Sequence, residues 1–336
     1  MRRRHPLSEA AAVVVAGSAF VAFVASCVTT DVPSTAPAVV AASDLDVDRT
    51  CDVIVDVDDA AARGSLVPVR HRYEVAARDD RTAAFGVMLA QPTPQERFRA
   101  VHAERASSPK SAVGPFGECL VYGSWPRMGD EVGPACTAAA NALGASAVLV
   151  EIAQIDSAIT HHHGEGAVAR ADAALQLAPT CSALHVGRAR AVATTTADAR
   201  VARDAWAAAS SAAPKCFRCL VEQAALEERL DGGPAGRAAA ASLWEKALAL
   251  APDHADTLRR FAAATAGVDD ARALRAWEAA IAAGARDFPT LLAAARLSSS
   301  LAQSPAEWDA ALGYARRAAD AAKNDPEARR LVINAA

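Results

Sequence analysis

The chain has 336 residues, 52% hydrophobic, 22% charged and only 5% aromatic, with a formal charge of −4. This length allows two or three domains or one elongated array, and the apolar content excludes a disordered chain. Five Trp, three Tyr and eight Phe are too few for an aromatic-rich β-sandwich, and the acidic balance gives no footprint for nucleic acid.

Alanine occurs 89 times, against 18 Gly and 17 Pro. Alanine is the strongest helix former, so the composition points to helices. The first segment is different in kind. A basic start, Met1-Arg2-Arg3-Arg4, is followed by an apolar run from Ala10 to Ala25 that ends in Val24-Ala25-Ser26-Cys27. The run is shorter than the ~20 residues of a membrane span and suits the apolar region of an export signal.

Val24-Ala25-Ser26-Cys27 resembles the lipobox of bacterial lipoproteins. The resemblance implies a signal peptide over 1–26, cleavage before Cys27 and lipidation of its sulfur. Val28 in place of Asp favours the outer membrane by the same resemblance. Release of residues 1–26 removes three Arg and one Glu, taking the formal charge from −4 to −6. Residues 27–45, rich in Pro, Ser, Thr and Ala, read as a flexible tether.

The region 46–145 reads as helical pairs of degenerate pattern. Its rival is a small α/β cap, because Cys51-Asp52-Val53-Ile54-Val55-Asp56-Val57 alternates like a strand. Asp44, Asp46 and Asp48 open like a calcium loop. Position six is Arg49 rather than Gly and position twelve Val55 rather than Glu, so they are not read as one.

From about residue 146 the chain repeats. Ala202-Trp206-Ala209 precedes Pro214, and Ala240-Trp244-Ala247 precedes Pro252; RADAALQLAP closes on Pro179. Offsets of four and three draw one stripe on a helix, and Pro then stops that helix. Ala273-Trp277-Ala280 and Ala311-Ala315-Ala318 repeat the stripe, with Ala285 and Lys323 at the Pro position. The closing positions 179, 214, 252, 285 and 323 step by about 33–38 residues.

These stripes resemble the second helix of the tetratricopeptide repeat (TPR). The resemblance implies an all-α fold, a right-handed α-solenoid of stacked antiparallel helix pairs over 146–336. First helices are expected over 181–194, 216–230, 254–266 and 290–302, with a closing helix over 326–336. It also implies a protein or peptide partner, with Arg188, Arg190, Glu222, Arg259 and Arg260 on the first helices as candidate contacts.

Six cysteines remain after Cys27. In an oxidising compartment they can pair completely. Cys181 and Cys216 each follow a repeat-ending Pro by two residues, so Cys181 is a candidate partner for Cys216 or Cys219, and Cys119 for Cys136. Cys216-Phe217-Arg218-Cys219 lacks the second CxxC of a zinc site. His161, His162 and His163 are weak metal candidates, since consecutive helical side chains diverge by about 100°. No phosphate loop or GxSxG appears, and no cofactor is expected. The reading is a membrane-tethered, non-enzymatic scaffold. The alternatives are an envelope enzyme or metal-dependent sensor using residues 46–140, and a structural envelope component. Nothing fixes the oligomeric state.

Overall fold

The computed structural model describes residues 44–322 together with Arg330 and Val332. Cys27, the expected tether up to Ser43, Lys323 and nearly all of the expected closing helix lie outside the described residues. Among the described residues there are sixteen α-helices, one 3-10 segment and no strand. The fold is all-α.

The regular part is a stack of helix pairs: α5 (Val113–Gly123) with α6 (Gly129–Leu143), α7 (Val150–Thr160) with α8 (Gly164–Leu177), and α9 (Ser182–Thr195) with α10 (Ala199–Ala212). It continues with α11 (Phe217–Leu230) and α12 (Pro234–Leu250), α13 (Ala255–Thr265) and α14 (Asp270–Ala282), and α15 (Phe288–Leu301) and α16 (Pro305–Ala321). Each helix packs on the next, from α5 through α16. The first helices fall within three residues of the ranges expected from sequence.

The stripes explain the stacking. Ala202, Trp206 and Ala209 are buried, as are Ala240, Trp244 and Ala247, Ala273, Trp277 and Ala280, and Ala311, Ala315 and Ala318. Small residues on one face let helix axes approach toward ~8 Å, while each Trp supplies most of the apolar area. One hairpin cannot bury such a face alone, so the pairs share a core. Helices α8, α10 and α12 have Ala178, Ala213 and Ala251 as C-caps, each directly before the Pro that stops the helix. The apolar segment Gly129–Thr160 is long enough to cross a membrane by composition. It is nevertheless broken by the 3-10 segment Gly144–Leu149, where Gly144 takes φ +55°.

The amino-terminal helices depart from the stack. They are α1 (Val47–Ala62), α2 (Leu66–Ala76), α3 (Arg81–Leu89) and α4 (Pro94–Ser107). The strand-like run 51–57 lies inside α1, which corrects the α/β alternative. The alternation has a tertiary cause: α1 is enclosed by α2 and α3 and also by α9 and α11, so Val53, Val55 and Val57 are all buried. Propensity opposes a helix there by only tenths of a kcal/mol per residue. Gly64, at φ +66°, lets the chain turn from α1 into α2.

Helix α1 lies across the starts of α9 and α11. Asp48 accepts from Thr180 Oγ1 and Asp52 from Ser182 Oγ, each at 2.8 Å. Asp59 accepts from the backbone N–H groups of Phe217 (2.5 Å) and Arg218 (3.1 Å). The step from Asp52 to Asp59 is seven residues, roughly 10 Å along the helix, which is about the width of one α-helix. Asp48 and Asp52 therefore meet the start of α9 through hydroxyls, and Asp59 meets the start of α11, where unpaired N–H groups attract negative charge.

A candidate partner-binding groove

Helix α13 sits between α11 and α15, and its central turns face an open groove of about 520 Å³. Arg259 and Arg260 come from α13, Glu228 from the last turn of α11, and Arg237 from the first turn of α12. Ala263, Ala264 and Trp277 supply an apolar floor, and Pro289 and Thr290 close the α15 side. Small side chains at Ala263 and Ala264 leave the space that a larger residue would fill.

The two α13 arginines are held in place. Arg259 donates to Asp256 at 2.5 Å and lies 3.9 Å from Asp287. Arg260 reaches Asp256 at 3.3 Å and Glu228 at 3.4 Å, with its guanidinium 5.6 Å from the centre of the Trp244 ring. Trp244 in turn donates its Nε1–H to Glu228 at 2.7 Å. Burial pushes the Asp256 carboxyl up, but hydrogen bonds and attraction from Arg259 and Arg260 outweigh it and leave it below the ordinary aspartate value. Asp287 is lowered in the same way, burial being overcome by Thr290 and Arg259. Arg237 is exposed and has no side-chain partner among the described residues.

Of the residues expected to contact a partner, only Arg259 and Arg260 meet in this groove. Arg188 is turned to Asp172 of α8 (2.5 Å) at the surface, and Arg190 to Asp156 of α7 (2.7 Å). Glu222 is half-buried on α11 and does not line the groove. Arg237 and Glu228 were not singled out from sequence. Their place depends on the next pair, and only the Gly232-Gly233-Pro234 turn before Arg237 hints at an opening.

The cysteines pair as Cys51–Cys181, Cys119–Cys136 and Cys216–Cys219. Cys181 is thus not joined to Cys216 or Cys219, correcting that expectation. Helix α1 brings Cys51 to the start of α9, with 5.4 Å between the Cα atoms, while Cys216 and Cys219 share the first turn of α11. Both are buried beneath Asp59, in a structural rather than an exposed redox setting.

His161, His162 and His163 form the turn between α7 and α8. His161 donates Nδ1–H to the Ser157 carbonyl at 2.8 Å, and His162 takes the left-handed φ of +62°. Among the described residues no group of three or more His, Cys, Asp or Glu is placed to hold a metal ion. Asp46 caps α1 through Arg49 N–H, and Asp44 accepts from Ser111 and Ala112, so these acids are occupied by backbone and side-chain donors.

No protein-family model and no curated protein matches the chain. Solved structures similar to it include YrrB, a TPR protein with an unusual peptide-binding site (15% identity, 55% of this chain and 90% of that one, TM-score 0.45). MamA is 13% identical over 52% of this chain and 92% of that one, with TM-score 0.43. PilF of Pseudomonas aeruginosa is 13% identical over 66% and 99%, with TM-score 0.48.

Proposed function

We propose that the chain is a lipid-anchored interaction scaffold of the bacterial cell envelope, and that the groove on α13 holds an acidic segment of a protein partner. The observation that carries this is the convergence of Arg237, Arg259 and Arg260 on one apolar-floored groove. Guanidinium groups pair with carboxylates through two parallel hydrogen bonds, and the α13 arginines are already oriented by Asp256 and Glu228. Orientation in advance lowers the entropy cost of binding. Ala263, Ala264 and Trp277 would take apolar side chains interleaved with the acids.

The anchor is the Cys27 sulfur, supported by the basic start, the short apolar run and the cysteine that ends it. Each buried acyl methylene contributes about 0.8 kcal/mol, so two or three chains hold a protein on the membrane.

The test is in-cell crosslinking of the full chain from a photoreactive residue at position 263, beside Cys27→Ala and the double variant Arg259→Glu/Arg260→Glu. A reproducible acidic partner, lost in the double variant, and release of Cys27→Ala into the soluble fraction are expected. Crosslinking that survives the charge reversal overturns the groove. A wild type that fractionates like Cys27→Ala overturns the anchor.

A further inference from the structure

Away from the groove, a second cavity of about 130 Å³ opens between α1, α4, α5 and α7. At ~30 Å³ per water it has room for about four waters, or for a molecule of some six heavy atoms. Its apolar walls include Ile54, Leu120 and Trp125, and its polar groups include Asp58 from α1, Arg97 from α4 and Asp156 from α7.

The charges here are not collapsed onto one another. Asp156 is joined to Arg190 at 2.7 Å. Arg97 donates only Nε, to the Gln91 carbonyl at 3.0 Å. Asp58 attracts Arg97 across the cavity, yet no ion pair within 4.0 Å joins them, and Asp58 accepts no hydrogen bond from a described residue. Half-buried opposite charges ordinarily close into contact, because desolvation is offset only by direct pairing. Two charges of opposite sign, each with unused hydrogen-bonding capacity, instead line a gap of small-molecule size.

We propose that this cavity binds a small α-amino acid, its ammonium on Asp58 and its carboxylate on Arg97. A zwitterionic head group carries both complementary charges a few ångströms apart and fills the gap neither side chain closes. Burial pushes the neighbouring Asp156 carboxyl up and Arg190 already pairs with it, so the ammonium is assigned to Asp58, and the guanidinium presents two donors to the carboxylate. Ile54 and Leu120 then face a short aliphatic side chain. The size of the cavity suits glycine, alanine or serine.

Trp125 provides the readout. The full chain is titrated with glycine, L-alanine and L-serine while tryptophan fluorescence is followed. Acetate and ethylammonium serve as probes carrying one charge each, and Trp125→Phe identifies the reporter. The expected result is a saturable response to at least one amino acid that is absent in Trp125→Phe. It should weaken at least tenfold in Asp58→Asn and vanish in Ser124→Phe, whose ring would enter the cavity from an exposed position. If Asp58→Asn fails to fold, Ser124→Phe decides. The proposal is overturned if none of the three amino acids gives a saturable response, or if the response survives both variants. Acetate or ethylammonium binding as tightly as the best amino acid also overturns it.

Discussion

Asp59 accepts hydrogen bonds from the Phe217 and Arg218 amides, 158 and 159 residues along the chain, and so caps α11 from another helix. Helices α13 and α15 cap themselves, through His254 and Asp287. Helix α9 has no cap from its own Cys181, and α11 only the Cys216 sulfur. Both are crossed by α1: Asp59 supplies α11 with a capping oxygen, and Asp52 holds the start of α9 through the Ser182 hydroxyl.

That arrangement makes stability depend on pH with a definite sign. Burial raises the Asp59 carboxyl from 3.8 to about 6, against the pull of the Arg218 and Phe217 amides. The folded state therefore holds this proton at a pH where the unfolded chain has lost it. Asp59's contribution is fully present below about pH 4 and declines as pH rises through about 6, by about 2–3 kcal/mol. Other acids shift the total, so the measure is the difference between wild type and Asp59→Asn in urea unfolding. Asn cannot ionise, and the difference should move in its favour between pH 4 and 7. A pH-independent difference contradicts the assignment.

Opening the disulfide of α1 should cost more than opening the one beneath Asp59. Cys51 and Cys181 close 130 residues, whereas Cys216 and Cys219 close three. Loop-closure entropy gives about 4–5 kcal/mol for a loop of the first length. Cys51→Ser/Cys181→Ser is expected to lose about 2–5 kcal/mol in denaturant unfolding, clearly more than Cys216→Ser/Cys219→Ser.

The tryptophans separate by burial. Trp244 is fully buried with Nε1–H on Glu228, while Trp308 is 39% exposed. Trp244→Ala should destabilise by about 3–5 kcal/mol. Trp308→Ala should stay within about 1 kcal/mol, since exposed sites away from special features rarely exceed that. Equal melting curves for the two variants would remove Trp244 from the core.

Two helical glycines are expected to respond in opposite directions. A Cβ on Gly123 would lie 2.4 Å from the Ala153 carbonyl oxygen, so α5 and α7 cross where only hydrogen fits. Gly123→Ala should cost about 1–3 kcal/mol. A Cβ on Gly313 meets nothing within 4 Å, so Gly313→Ala in α16 should gain about 0.5–1 kcal/mol. Thermal melts of both variants check the pair.

Much of the stack is written locally. The Ala-Trp-Ala stripes at 202–209, 240–247 and 273–280 fix which face is buried, and Pro179, Pro214 and Pro252 fix where helices stop. Both effects act within two turns of helix, so periodicity and chain stiffness reveal them without knowledge of the rest. The same holds for the first helices of each pair.

What tertiary structure decided lies at long separation. Nothing near Cys51 says that Cys181 is its partner, and the alternation at 51–57 has the local form of a strand; both follow from α1 crossing α9 and α11. The groove was half legible. Arg259 and Arg260 were visible as charges on a first helix, but Arg188 and Arg190 looked the same and are spent on Asp172 and Asp156. All four arginines pair with acids; Arg259 and Arg260 differ in lining an opening between α11, α13 and α15, and that is settled only when the helices meet.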